Sequence, residues 1–596
     1  MSATGTRYPL SQLGKPLQHS LNDLKNMNIS DEILHLTAAD AGKVRFSNWG
    51  PKEAYKAICK AGVLDRFISD AWVENHYRWI VWKLACMIRS YPSKFRDWWC
   101  SRKVVEQLLY RYEREINLGH QSVLKRIHEQ DDNPAKHMVL AVADIKPFVA
   151  ADGGGQAAAA VARKYQLVLT DGWYQINAVT DPRLERAIAK GKVSIGSKLS
   201  ICGAQLNGDA QPRSPLSASS NDSILSITTN GSWLAAWDAK LGYQRNRLVL
   251  RSLSSVYEDG GIITVLDVVV CRKYPMMYTE VLPNGTRIKR TAREEEEERR
   301  RAGAELHQHW DDGGGGGWAP RFHEHGGMRM VQSRGKPLEE PSPTKPEERT
   351  VSAHFRVQLC DYRSNSNSSN SSDGGGSEQR MATLLLLDAN ELKHLDICEG
   401  SRYKIYFTMP YTLSDKSINN NSSTIHLKTT RKTQWESVSD IDEATLASTL
   451  YIPRQISLTA TLPTLDKGSE IDIAVLVLHS TCSGEESRTI EGRALWYQTL
   501  LVTDASGGLC QVKLKLPCRP LKGIDGQIVG FTNVTREVHD TKYSITHLKV
   551  GDNSEAFNKQ KAAPYMQQAI NSVRQWAQTN PEELQAIKQR VNQFLL

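Results

Sequence analysis

Residues 71 to 84 read Ala-Trp-Val-Glu-Asn-His-Tyr-Arg-Trp-Ile-Val-Trp-Lys-Leu, and no other stretch constrains the fold of this chain as tightly. Ser69 or Asp70 supplies an N-cap, and Pro92 ends the helix, because proline cannot continue one and disfavours helix in the residue before it. On helical spacing the stretch carries two apolar stripes. Trp72, Trp79, Trp82 and Cys86 form one, with His76 beside them; Val73, Tyr77, Ile80, Leu84 and Met87 form the other. Only a strip through Glu74, Arg78 and Arg89 is polar. A surface helix needs one apolar stripe, whereas a helix that is apolar nearly all round must be covered on two sides. Either both stripes are core, or one packs inward and the other receives a partner, for which Trp is a favoured anchor.

A chain of 596 residues exceeds a single core. No apolar run reaches the roughly 18 residues that span a bilayer, so no membrane association is expected. The net charge of +9 permits nucleic-acid binding without requiring it. The ten cysteines include no Cys-x-x-Cys pair, which argues against a zinc site and fits a reducing compartment. No P-loop, Gly-x-Ser-x-Gly or His-Glu-x-x-His motif is present, so neither catalysis nor a cofactor is expected. His307, His309, His323 and His325 lie in glycine-rich sequence and do not read as metal ligands.

The expected organisation is α plus all-β and multidomain. Residues 1–47 are expected to form a partly disordered lead-in with one short helix near Ser30 to Leu36, and 48–136 a helical domain. At Met138 the hydrophobic period changes from 3.6 to 2, and short strands with one interposed helix fit an OB-fold barrel over 137–260. A second barrel spans 261–440, with an insertion at about 293–350 and a Ser/Asn-rich loop at 364–378 expected to be disordered. A third spans 451–555, and 556–596 is a helical tail. The tract Arg287-Ile-Lys-Arg290 reads as a solvated strand end.

Candidate binding residues lie in the last two barrels. Alternation in the strand from Arg402 to Phe407 puts Arg402, Lys404 and Tyr406 on one face and Tyr403, Ile405 and Phe407 in the core. From Gly400 to Trp435 six cations, including Lys428, Arg431 and Lys432, accompany a single acid, Asp415. In the third barrel Lys513 and Lys515 share a face, with Arg493 and Trp496 on the preceding strand. Cations for phosphates and rings for base stacking, Trp435 and Trp496 among them, suit a single-strand groove.

The Trp helix together with Leu169-Thr-Asp-Gly-Trp-Tyr174, Lys240-Leu-Gly242, Asp259-Gly-Gly261, Arg293-Glu-Glu-Glu296, Gly400-Ser-Arg-Tyr-Lys-Ile-Tyr406 and Thr430-Arg-Lys-Thr-Gln434 resembles the C-terminal DNA-binding region of the breast cancer type 2 susceptibility protein family, landmark after landmark in order. The resemblance implies a helical domain followed by three OB-folds and a nuclear protein. It implies single-stranded DNA binding in double-strand break repair by homologous recombination, where the protein assists loading of a RecA-like recombinase. It also implies a small, acidic, disordered protein docked on the helical domain and first barrel, with Trp72, His76, Trp79, Trp82 and Trp173 as the residues to meet it. The family's long helical tower does not fit the short insertion, which contains five consecutive glycines. Phe148-Val-Ala-Ala151 has the Phe-x-x-Ala spacing of the family's recombinase-binding repeats, but no repeat array accompanies it. The alternatives are a replication-type single-strand-binding subunit, whose four-cysteine zinc module is missing here, and a protein-binding OB-fold scaffold.

Overall fold

The computed structural model describes residues 10–147, 165–208, 211–217, 223–244, 250–312, 349–362, 380–412, 424–490, 493–516, 523–557 and 563–595. Phe148 to Ala151, the 364–378 loop, and Lys416, His323 and His325 lie outside them, as do the side chains of His307 and His309. The chain forms two compact units. One comprises Met1–Val268, Cys360–Ala382 and Arg402–Thr449, the other Val269–Leu359, Thr383–Ser401 and Leu450–Leu596.

In the first unit the Trp stretch forms a helix over Asp70–Ser90, capped by Ser69, whose Oγ accepts from the Trp72 amide at 3.2 Å. Its Tyr77, Ile80, Leu84 and Ile88 are buried with Ile58 of helix Pro51–Lys60 and with Val104 and Leu108 of helix Ser101–Tyr112. Cys100 holds the N-cap position of that last helix, which runs on into a wider π turn at Glu113–Asn117. The lead-in is part of this core. Helices Leu21–Asn26 and Asp31–His35 bury Leu24, Ile33 and Leu34. The helix expected near 30–36 is present as Asp31–His35; Leu21–Asn26 was not expected, because a helix this short holds too few turns to show a period in sequence. Helix Val123–His128 likewise departs from expectation, because Val123, Leu124 and Ile127 pack into the first barrel.

That barrel has OB-fold connectivity. Strand Met138–Pro147 pairs antiparallel with Tyr165–Thr170 and Lys198–Ile201; Tyr165–Thr170 pairs with Gln175–Thr180, which runs parallel to Ser223–Ile227. Helix Pro182–Ala189 lies between the third and fourth strands. The Asp171-Gly172 turn works as its sequence suggests: Gly172 has φ +86°, and the Asp171 carboxylate accepts the amides of Trp173 and Tyr174.

The second barrel follows the same chain order of three strands, helix and two strands, with an insertion after its own first strand. Its strands Ile263–Lys273, Thr350–Asp361 and Met381–Leu386 run through both units. In the second unit the insertion opens with a hairpin, Met277–Val281 paired with Arg287–Thr291, followed by helix Ala292–Asp312. Arg349, where the chain returns, donates to Glu280 at 2.7 and 3.1 Å and to Glu295 at 3.1 Å, and Arg290 pairs with the same Glu280. Arg290 is therefore buried in an ionic knot that fastens both ends of the insertion, not a solvated strand end.

The third barrel closes on itself. Strand Glu470–Ile490 pairs with Arg493–Thr503 and Ile528–Asp540; Leu509–Leu516 pairs with Arg493–Thr503 and runs parallel to Ile545–Lys549, which returns to Ile528–Asp540. Tail helices Pro564–Thr579 and Pro581–Leu595 cover its outside, with Met566, Ile570 and Val573 on Ala474 and Leu476, and Trp576, Ile587 and Val591 on Leu501, Leu509 and Ile545. A Cβ on Gly530 would stand 2.5 Å from Met566 Sδ and 3.2 Å from Ile570 Cδ1. Gly530→Ala is expected to cost about 1–3 kcal/mol through overpacking and to speed protease cleavage of the tail. An unchanged melting temperature and cleavage rate would show that the side chains give way freely.

The architecture is thus an N-terminal helical domain followed by three OB-fold barrels, the second carrying a shortened insertion. Among the described residues no helix is long and apolar enough to cross a membrane, and no group of His, Cys, Asp and Glu could hold a metal ion.

Candidate nucleic-acid interface and the face of the Trp helix

On the strand Arg402–Pro410 the outward residues are Arg402, Lys404 and Tyr406, as alternation requires, but they do not share one role. Arg402 forks onto Asp267 at 2.8 and 2.7 Å, lies 3.8 Å over the Tyr362 ring and donates to the Asp440 carbonyl. Its guanidinium is committed inside the protein, so Arg402 is removed from the candidate nucleic-acid contacts. Lys404 stands opposite Glu436, and Tyr406 opposite Gln434. The Tyr406 hydroxyl donates to Glu436, and that bond, followed by partial burial, pushes its pKa up to about 12.

Trp435 also departs from expectation. It pairs with Ile405, an inward residue, and its ring meets Tyr403 edge-on at 5.5 Å, so it lies on the core side of the sheet rather than offering a stacking surface. Phe407 is not core. Its φ of +57° breaks the alternation, Thr408 turns inward instead, and the hydroxyls of Thr430 and Thr433 both donate to the Phe407 carbonyl. The two threonines thereby hold the turn that presents Arg431 and Lys432 to solvent. Lys428 sits opposite the outward Met409. Among the described residues no acid forms an ion pair with Lys404, Lys428, Arg431 or Lys432.

In the third barrel the side chains of Arg493, Trp496 and Lys515 lie outside the described residues. Lys513 is exposed and stands opposite Thr499 on one side and Lys549 on the other; Gln511 and His547 form the next row. Burial, then the charge of Lys513, holds the His547 pKa below its usual value. Tyr497, 38% exposed, is opposite Lys515. The tail covers this face only at the Leu501, Leu509 and Ile545 end, leaving the cationic rows open. Lys549 and His547 were missed in sequence because the fifth strand was not recognised, and Tyr497 was passed over on a strand that was recognised. The period-2 pattern of the fifth strand, Ile-Thr-His-Leu-Lys, was the available signal.

The Trp helix is covered on both sides by this chain itself. Trp72, Trp79, Trp82 and His76 are buried, at 4, 1, 7 and 0% exposure, so they are not a free face for a partner. The second cover is the first barrel. At its centre lies the buried Glu115 carboxylate. It accepts from Trp72 Nε1 at 3.0 Å, Lys125 Nζ at 3.0 Å and the Tyr174 hydroxyl at 2.7 Å, and lies 3.2 Å from His76 Nε2. Arg111 places its guanidinium 2.8 Å from His76 Nδ1 and donates to the Gly172 carbonyl at 2.7 Å. A guanidinium only donates, so His76 Nδ1 accepts and the ring proton sits on Nε2, facing Glu115. Burial drives His76 down to about 4, which keeps it neutral. Trp173, half-buried, stacks beside Arg111 at 5.1 Å, and its carbonyl accepts from Asn75 at 2.9 Å. Arg78 adds a bond to Gln175 at 2.8 Å. Sequence reasoning missed Asn75, Arg78, Arg111, Glu115 and Tyr174.

Residues 17–119 match the family model described as BRCA2, helical, and residues 122–245 the one described as BRCA2, oligonucleotide/oligosaccharide-binding, domain 1. Two Arabidopsis thaliana proteins are similar. BREAST CANCER SUSCEPTIBILITY 2 homolog A is 35% identical over 273 residues, 44% of this chain and 24% of that protein. Homolog B is 26% identical over 641 aligned positions, 94% of this chain and 53% of that protein. The chain therefore spans about a quarter and about half of the lengths of these relatives. Among solved structures, a Replication Protein A heterotrimer bound to ssDNA aligns over 55% of each chain with a TM-score of 0.28 and 11% identity. The Ifi202 HINa domain with duplex DNA aligns over 34% of this chain and 84% of that one, with a TM-score of 0.20 and 9% identity. Matched family models cover the helical domain and first barrel, and a relative aligns along nearly the whole chain, so these two domains are of the BRCA2 type.

Proposed function

We propose that this chain binds single-stranded DNA and acts, without enzymatic activity, as part of a nuclear recombination mediator that assists loading of a RecA-like recombinase at double-strand breaks. The observation that supports it most is the cationic edge of the second barrel, Lys404, Lys428, Arg431 and Lys432 on outward positions without ion-pair partners among the described residues. Structural cations in this protein are engaged, as Arg402, Arg111 and Arg290 are, whereas these four remain available to phosphates. Lys513, Lys549 and Tyr497 offer the same chemistry on the third barrel. The BRCA2 type of the helical domain and first barrel adds the recombination setting and the recombinase. An acidic disordered partner would meet the exposed Lys94, Arg96 and Arg102 of the helical domain, since the tryptophans are enclosed.

The test is fluorescence anisotropy with labelled oligo(dT) across a salt series. Replacing Lys404, Lys428, Arg431 and Lys432 by glutamine is expected to weaken binding by at least about ten-fold. It should also flatten the slope of log K against log salt by about 0.7 per lost phosphate contact. Unchanged affinity and slope in a folded variant would sink the reading and favour the protein-binding scaffold.

A further inference from the structure

The short helix Glu391–Asp396 of the second barrel is turned the wrong way round for a core element. Its sequence is Glu-Leu-Lys-His-Leu-Asp, and burial ordinarily selects leucine over histidine. Here the His394 ring packs edge-on against the fully buried Phe355 at 4.7 Å, and its Nε2 lies 3.0 Å from the Tyr274 carbonyl. Lys273 donates to the His394 carbonyl at 2.8 Å, which fixes the helix in this orientation. Leu392 and Leu395 are three residues apart, hence on one face, and they are 70% and 68% exposed. Leu387, which leads into the helix, is 43% exposed. A single exposed leucine needs no explanation; two on one helical face, with a third shortly before them in sequence, on a segment that packs a histidine inward, are of the kind that marks an interaction site.

The charges around it identify the occupant. Asp388, Glu391 and Asp396 flank the leucines in sequence and are all exposed, whereas Lys393 is half-buried and Lys273 is turned to the His394 carbonyl. An apolar face with acidic flanks complements a basic amphipathic helix, whose own apolar stripe would cover the leucines. The same acids repel nucleic acid, so the patch is separate in kind from the cationic edges described above. We infer that the Leu392 and Leu395 face is a docking site for a basic amphipathic helix of a partner protein.

The probe is a fluorescein-labelled synthetic helix of leucine and lysine with its leucines on one side, titrated by anisotropy into the whole chain at near-physiological salt. Leu392→Ser with Leu395→Ser is expected to weaken its binding at least about ten-fold, as the loss of apolar burial at two positions requires. The melting temperature and oligo(dT) affinity should not change. Asp388→Asn, Glu391→Gln and Asp396→Asn together are expected to weaken probe binding and reduce its salt dependence while leaving the leucines in place. That acid variant decides alone should the leucine variant fold poorly. Probe binding indifferent to both sets of changes would overturn the inference. So would a concentration-dependent dimer of the native chain that disappears in the leucine variant, since the occupant would then be a second copy.

Discussion

Replacing Glu115 by alanine is expected to cost about 3–5 kcal/mol, because it leaves His76, Tyr174, Trp72 and Lys125 around a site emptied of the carboxylate they share. The loss should be largest in the cohesion of the helical domain with the first barrel, since Trp72 and His76 come from one and Tyr174 from the other. Acid should act in the same direction. His76 has a folded pKa of about 4, below its ordinary 6.5, owing to burial. Between those values the unfolded chain binds a proton that the folded one does not, so stability falls as pH drops from 6.5 to 4. For Glu115, burial alone would raise the carboxyl, but hydrogen bonds from His76, Tyr174 and Lys125 hold it down at about 2, against an ordinary 4.5. Its contribution is complete above 4.5 and is lost as pH falls from there towards 2. Thermal melts from pH 7.5 to 4.5 are expected to show a steady decline that His76→Gln flattens. A decline identical in that variant would assign it to other histidines, of which buried His128 and half-buried His354 and His394 also have lowered pKa values.

This centre also shows where the sequence was readable and where it stopped. The Trp helix announced two covers because its apolar residues leave no broad polar face, and two covers are what the structure has. That the second cover is the first barrel, not a partner, depends on Glu115 and Arg111. In sequence both sit in Tyr-Arg-Tyr-Glu-Arg-Glu-Ile and look like a solvated helix face. Their burial is decided by Tyr174, 59 residues further on, and no local pattern records that distance. The strand Arg402–Pro410 behaves similarly. Period-2 alternation assigned the outward side of Arg402, Lys404 and Tyr406, but an outward cation is free or engaged according to a partner such as Asp267, 135 residues earlier. Trp435 was misplaced for a related reason. Its side of the sheet follows from pairing with Ile405, a register fixed by the Thr430 and Thr433 turn and not by composition. Local periodicity supplies faces; ion pairs and register belong to the assembled fold.

Arg454 is expected to be the residue whose loss most weakens the third barrel and its tail. It lies in the connection after the second barrel, in Tyr-Ile-Pro-Arg-Gln, where nothing in the sequence distinguishes it from a surface arginine. Its guanidinium forks onto Glu399 at 2.7 and 2.8 Å and reaches Asp472 at 2.9 and 3.1 Å and the Asn533 side chain at 3.0 Å. Asp472 is aimed at it by a bulge in the strand Glu470–Ile490, and it also accepts the Tyr565 hydroxyl of the tail at 2.9 Å and the Asn533 amide. Burial alone would lower the pKa of Arg454; Glu399 and Asp472 more than reverse that and raise it. An exposed ion pair would contribute no more than about 1 kcal/mol. Here the side chain is only 12% exposed and removal strands two carboxylates, so Arg454→Ala is expected to cost about 3–5 kcal/mol. Arg454→Lys should recover only a minor part, because one ammonium cannot fork onto Glu399 and still reach Asp472. Denaturant unfolding gives the energies, and cleavage at residues 558–562 reports release of the tail. Neutralising the partners in the Arg454→Ala background, with Glu399→Gln and Asp472→Asn, should restore stability, since the penalty lies in the unpaired charges. A loss below about 1 kcal/mol for Arg454→Ala, or no rescue by the neutralised partners, would reduce Arg454 to an ordinary surface contact.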